Sequence, residues 1–225
     1  MNGSSAFTHL HVHSHYTLLG GTASVADLAA RAAAQGLSHL ALTDTNALYG
    51  AVSFDQACRA AGIQPILGLA VTVAPPEEQL GASATPGLLI LLATGPRGYR
   101  SLCRLSSLVQ ARPNRQALAD HGLDWTDLEA HSEGLLCLEG GRRGWLERFL
   151  RAGGAPAAAR YARRLAAAFP GSAYLSLELH CPGDLALAHE LIELGAKCHL
   201  PAAAVQPVYT LAPEDAPGLQ LLAAI

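Results

Sequence analysis

Lysine is nearly missing from this chain. Lys197 is the only one, so almost all the positive charge is arginine, and with the abundance of alanine and glycine this reads as compositional bias rather than chemistry. An excess of positive charge is missing too. Against 18 acidic residues stand 15 basic ones, a formal charge of -3, which argues against a protein whose main task is coating nucleic acid or anionic membrane. No Cys-x-x-Cys pair occurs. The five cysteines, Cys58, Cys103, Cys137, Cys181 and Cys198, are scattered through apolar or mixed segments, as expected of packed thiols in a reducing cytoplasm and not of a zinc ribbon or disulfide framework. No basic region precedes an apolar run at the N-terminus, so no secretory signal is expected. No uninterrupted apolar stretch approaches the ~18–20 residues that span a bilayer. Ser-His-Asp arrangements, phosphate-gripping glycine loops and dinucleotide fingerprints are also absent from any strand-to-helix context, which leaves rival catalytic classes without support.

Half of the 225 residues are apolar, enough for a substantial core. The stretch that stands out is Thr8-His9-Leu10-His11-Val12-His13-Ser14-His15, with four histidines at alternate positions. In a strand the side-chain period is two, so this pattern places four imidazoles on one face and Leu10 and Val12 on the other. Neutral imidazole is a common ligand of zinc and its neighbours.

Downstream, strands and helices alternate. Strands are expected at 38–43, 63–73, 88–93, 134–138, 173–179 and 199–205, with helices at 24–35, 51–61, 98–110, 145–151, 155–169, 184–194 and 213–225. Residues 74–86, with three prolines, read as a loop, and 112–120 as a basic, irregular connector. With the histidine run, that makes seven mostly short, apolar strands alternating with helices. The pattern points to a parallel sheet covered by helices, and seven units suit a closed or distorted (β/α) barrel better than an open sheet. In such barrels functional groups sit beyond the C-terminal ends of strands, where His13, His15, Asp44 and Thr45 fall.

The run from His9 to Gly21, then Leu40-Ala41-Leu42-Thr43-Asp44, Tyr49 to Phe54, Ala61 to Gly68, Leu91-Leu92-Ala93, Gly98 to Cys103 and Glu133-Gly134-Leu135 resembles the polymerase and histidinol phosphatase (PHP) domain, in the same order. The copy that opens the alpha subunit of bacterial DNA polymerase III and its error-prone relatives matches best. The resemblance covers about residues 7–225 as a single domain, after a short polar tail at 1–6. It implies a distorted seven-stranded (β/α) barrel and, where the family is active, a trinuclear metal cluster that hydrolyses phosphoesters by activating a bound water and neutralising phosphoryl oxygens. Of its nine ligands, two remain here, His11 and His13. The others fall at Gly20, Thr45, Ala70, Leu88, near Gly141, and at Pro207 and Tyr209, and glycine, alanine, leucine and proline side chains have no donor atom.

The resemblance therefore implies a PHP module of a polymerase III alpha-type DNA polymerase, serving replication or translesion synthesis, with a degenerate metal site and a structural role. The palm, thumb and fingers are absent, and such a chain matches a gene fragment, a split subunit or an excised domain. The polymerase body is the expected partner, in cis or in trans, with DNA met only indirectly and no membrane. The alternatives are an active metal-dependent phosphoesterase or 3'-5' proofreading exonuclease, and a stand-alone protein that docks on a polymerase. No catalytic residue is assigned and no cofactor is required; residual zinc or manganese would sit on His11 and His13, with His9, His15 and Asp44 as weaker candidates. Taken alone, His9 reads as a satisfied core histidine, His15 as a replacement for the lost aspartate, Asp44 as a loop cap and Glu178 as a structural hydrogen-bond acceptor.

Overall fold

The computed structural model describes residues 7–76, 85–111 and 121–224. The expected tail at 1–6, the middle of the loop at 74–86, the connector at 112–120 and Ile225 lie outside the described residues. Six strands follow one another as β1 (His39–Leu42), β2 (Gln64–Val73), β3 (Gly87–Ala93), β4 (Leu135–Glu139), β5 (Ala173–Leu177) and β6 (Ala202–Ala204), in that spatial order. Between and around them run α1 (Val25–Ala34), α2 (Ala51–Ala60), α3 (Pro96–Gln110), α4 (Trp125–Ala130), α5 (Trp145–Arg151), α6 (Ala155–Ala168), α7 (Leu185–Cys198) and α8 (Ala216–Ala223). The fold is mixed α/β with the sequential strand order of a distorted (β/α) barrel. No helix among the described residues is long and apolar enough to cross a membrane.

The chain divides into two compact units, residues 1–69 with 206–225, and residues 70–205. In the first, β1 pairs in parallel with the start of β2, Leu40 opposite Pro65 and Leu42 opposite Leu67. Helix α1 opens on Ser24, whose side chain accepts a hydrogen bond from the Asp27 backbone N–H, and Gly36, at φ 71°, ends it in the left-handed region that glycine enters without penalty. Its buried side chains, Val25, Leu28, Ala29 and Ala32, recur at helical spacing and meet Phe54 and Cys58 of α2 and Leu40 and Leu42 of β1 in one apolar cluster.

The histidine run departs from the expected strand. It is extended but, among the described residues, makes only one bridge, Val12 to Val208. On its other side the His9 carbonyl accepts from Ala41 N–H and the Val12 carbonyl from Thr43 N–H, so a step of three residues faces a step of two along β1. The mismatch breaks strict alternation. His11, Val12, His13 and Ser14 are all buried.

In the second unit, β3 runs antiparallel to β4, contrary to the all-parallel expectation, with Leu91 opposite Cys137; β4, β5 and β6 are parallel. The reversal follows a connection that carries both α3 and α4, long enough to return the chain in either direction. Helix α4 has no counterpart in the expected elements, because six residues hold too few periods to register. Helix α3 packs closely before β4: a Cβ on Gly98 would overlap the Gly134 carbonyl oxygen. Arg164 of α6 lies over the Trp125 ring at 4.6 Å and donates to Glu129 Oε1 at 3.1 Å.

Phe54 is fully buried in the cluster of the first unit, whereas Val52 on the same helix is 64% exposed. Phe54→Ala is expected to cost about 3–5 kcal/mol in urea denaturation, through lost transfer energy and an unfilled cavity, and Val52→Ala less than about 0.5 kcal/mol.

A buried histidine pair and a carboxylate cluster

The candidate site of the first unit is built by the end of the histidine run, the turn that follows it and the residues after β1. His11 Nε2 and His13 Nε2 lie 2.8 Å apart, both side chains buried. His13 Nδ1 is 3.0 Å from Thr17 Oγ1, and Thr17 Oγ1 donates to Asp44 Oδ1 at 2.8 Å. A hydroxyl has one proton. Since Thr17 spends it on the carboxylate, Thr17 accepts from His13 Nδ1–H, as it also accepts from the Thr45 backbone N–H at 3.1 Å. A neutral His13 protonated at Nδ1 offers a lone pair at Nε2, which fixes His11 as the Nε2–H donor. The result is a directional relay from His11 through His13 and Thr17 to Asp44.

Asp44 closes the relay with its oxygens filled. Oδ1 also accepts from Ser14 N–H at 2.7 Å, and Oδ2 from Ser14 Oγ–H at 2.8 Å. Burial pushes its carboxyl above the ordinary aspartate range, and these three hydrogen bonds pull in the opposite direction. The tyrosine at the position of a lost ligand, Tyr209, stacks on His13 with ring centroids 4.7 Å apart and planes within 8°.

The other sequence candidates do not join the pair. His9 lines a separate cavity with Val12 and Leu40, meets Phe7 edge-on, and its Nδ1 has no hydrogen-bond partner among the described residues, so it is not the satisfied core histidine expected. His15 is exposed, packs on Tyr16, and its Nδ1 lies 3.2 Å from the Ala23 carbonyl oxygen. Among the described residues no group of three His, Cys, Asp or Glu side chains is arranged to hold a metal ion.

Two nitrogens on one tetrahedral zinc stand about 3.3 Å apart, given Zn–N bonds of about 2.0–2.1 Å. The 2.8 Å observed is the separation of a hydrogen bond. With a catalytic zinc requiring three protein ligands, this donor set does not fit the metal cluster that the resemblance implies. Nothing in the sequence pattern singled out Thr17 or Ser14, which are common turn residues; Tyr209, marked only as a lost ligand position, reaches His13 from the far end of the chain.

In the second unit, Glu139 ends β4 fully buried. Its carboxyl accepts from Gly141 N–H and Leu146 N–H, both at 3.1 Å, so it caps the start of α5 from a distance. Burial, with Glu147 and Glu178 nearby, drives its pKa to about 8. Asp184 is the opposite case: the His180 and Cys181 backbone N–H groups and the Arg142 guanidinium hold its carboxyl well below the usual range. Glu147 is paired with Arg151 at 2.6 Å. Glu178 faces His180 Nε2 at 3.3 Å, as its expected hydrogen-bonding role requires, and burial raises its pKa. An acidic residue closing an apolar strand just before two glycines was the available signal for Glu139.

A PHP domain profile matches residues 9–180. Among curated proteins the chain is 32% identical over 220 residues to DNA polymerase III subunit alpha of Bacillus subtilis, covering 98% of this chain and 19% of that protein. It is 37% identical over 218 residues to the error-prone DNA polymerase of Symbiobacterium thermophilum, covering 91% and 19%. The chain thus spans about a fifth of the length of these relatives. Two solved structures share the fold. One is an amidohydrolase from Chromobacterium violaceum with bound sulfate and no metal (TM-score 0.56, 15% identity, 96% of each chain). The other is a two-domain protein from Bacteroides vulgatus described as containing a predicted PHP-like metal-dependent phosphoesterase (TM-score 0.54, 12% identity, 90% of this chain and 52% of that one).

Thr17→Val keeps the shape but strands His13 Nδ1–H and Thr45 N–H and removes one of the two hydrogen bonds to Asp44 Oδ1, and is expected to cost about 2–4 kcal/mol in denaturation. Leu18→Ala, 85% exposed beside it, is expected to be nearly neutral. Glu139 makes stability depend on pH. Between the ordinary value of 4.5 and about 8 the folded chain keeps a proton that the unfolded chain releases, so stability falls as pH rises through that window. The fall attributable to Glu139 is on the order of 4 kcal/mol. Glu139→Gln, which loses one acceptor oxygen, is expected to be less stable than the parent at pH 5 and to lose that deficit by pH 9, read from melting temperatures across pH.

Proposed function

We infer, on the premise that the chain belongs to the PHP domain family, that it serves as a structural PHP module of a DNA polymerase III alpha-type polymerase, taking part in replication or translesion synthesis. On this reading residues 7–225 act as one module in the cytoplasm, associated with a polymerase body in cis or in trans. Its surviving metal-site histidines hold each other and the Thr17–Asp44 network instead of a catalytic ion.

The observation that supports this reading is the 2.8 Å Nε2–Nε2 contact, in which the lone pair a metal would need on His13 accepts a proton from His11. Zinc binding there would require His11 to move its proton to Nδ1 and the two rings to separate. Even then a third donor is wanting, because Asp44 is turned to Ser14 and Thr17. Relatedness to polymerase subunits over nearly the whole chain favours the polymerase body as partner.

Two measurements test the reading. The purified chain, dialysed against zinc or manganese, is expected to hold well under one metal per molecule and to show no hydrolysis of a phosphodiester or of a DNA 3' end. Stoichiometric metal, lost together with hydrolytic activity in a His11→Ala, His13→Ala double variant, would instead establish an active phosphoesterase. Mixed with a polymerase body lacking its own PHP region, the chain is expected to co-elute and to raise the melting temperature of that body; separate elution would remove the proposed partnership.

A further inference from the structure

Helix α3 contains no acidic residue and carries Arg97, Arg100 and Arg104. Steps of three and four put the three side chains on one face, and all are exposed. The chain as a whole is net negative, so this face runs against its background. Helix stability does not explain it. The N-terminal turns of a helix carry the positive end of the macrodipole, where cations are disfavoured, yet Arg97 and Arg100 lie there, behind Gly95 and Pro96, with no side-chain cap and no acid in the first turn. Helix α1 follows the usual rule, with Ser24 and Asp27 at its start.

The arginines line a cleft of ≈ 570 Å³ together with Ser101, His131 and Glu133. A second cleft of ≈ 430 Å³ along the same helix shares Arg104 and His131 and continues past Ser107 and Leu108. The shared residues make the two a continuous groove, and helical rise over residues 97–111 gives it a length of about 21 Å. Its one carboxylate, Glu133, is engaged by Arg97 at 2.7 Å. Arg100 and Arg104 have no carboxylate partner among the described residues. They stand one turn apart, about 6 Å along the axis.

An unpaired guanidinium grips two phosphate oxygens at once, and a row of them matches a linear array of phosphates. An acidic protein segment would also meet the charge, but protein interfaces centre on aromatic or aliphatic anchors, and the arginine end of this groove has none. We propose that the α3 groove binds the phosphodiester backbone of a nucleic-acid strand, without reading its bases. This binding is independent of any metal site and of the structural role proposed above.

The test is fluorescence anisotropy with the full chain and a labelled 20-nucleotide single strand of mixed sequence at about 50 mM salt, where binding to phosphate is strongest. Saturable binding is expected. Arg100→Glu with Arg104→Glu should weaken it at least tenfold, and Arg100→Ala with Arg104→Ala should lower the slope of log K against log salt by about 1.4, at ~0.7 for each phosphate no longer neutralised. A control pair, Arg31→Glu with Arg59→Glu, makes the same change in net charge on α1 and α2 and should alter affinity less than about twofold. All four side chains are exposed, and far-UV circular dichroism with a melting curve verifies folding, the alanine pair serving if the glutamate pair misfolds. Absence of saturable binding, or equal weakening in the control pair, would overturn the proposal. So would unlabelled poly-glutamate displacing the oligonucleotide as well as unlabelled oligonucleotide does, which would assign the groove to an acidic polypeptide.

Discussion

The carboxylate of Asp44 is only 2% exposed, and a carboxylate taken out of water is tolerated only where hydrogen bonds replace its hydration. Ser14 supplies two of them and Thr17 the third. Those bonds tie the turn after the histidine run to the chain leaving β1. They also decide the rest of the site, because a Thr17 proton committed to Asp44 sets the tautomer of His13, and His13 then sets that of His11. The Thr43 hydroxyl adds a parallel clamp, accepting from Val12 N–H and donating to the Val12 carbonyl. A short irregular segment that cannot form a regular strand is thereby held as firmly as one.

The second unit handles buried acids by a different division of labour. Glu139 has backbone donors but, among the described residues, no ion-paired cation, with Glu147 and Glu178 close by, so the favourable state of its carboxyl near neutral pH is the protonated one. Asp184 and Glu147 lie against Arg142 and Arg151, and the Asp184 carboxyl is held below its ordinary range. With Glu139 protonated, two arginines serve Glu147 and Asp184, and His180 faces Glu178. Gly144 belongs to this arrangement, since a Cβ there would overlap Glu139 Oε1.

Much of the architecture was legible from periodicity. The helices at 25–34, 51–60, 96–110, 145–151 and 155–168 appear within a residue or two of expectation, all but the short 145–151 helix because each buries a stripe at helical spacing. Helix α7 runs one turn further than expected, to Cys198, where His199 at φ 58° ends it. The first expected strand fails for a reason invisible in composition: its two flanking partners impose different steps, and alternation does not survive the bulge. Of the site, His11, His13 and Asp44 could be picked out by residue type and place, and Tyr209 only as a lost ligand position; Thr17 could not, because a threonine is not unusual where it stands in the chain.

The sequence alone determined that the chain has PHP ancestry, that its strands and helices alternate, and that most of the family's ligand positions are empty. The last point needs no coordinates, since glycine, alanine, leucine and proline have no donor atom in any conformation. Tertiary structure decided what became of the donors that survive. The pairing of His11 with His13, the relay through Thr17 to Asp44 and the tyrosine stacked on His13 all depend on segments distant in sequence meeting at hydrogen-bonding distance, and a one-dimensional pattern does not encode the direction in which a proton is held.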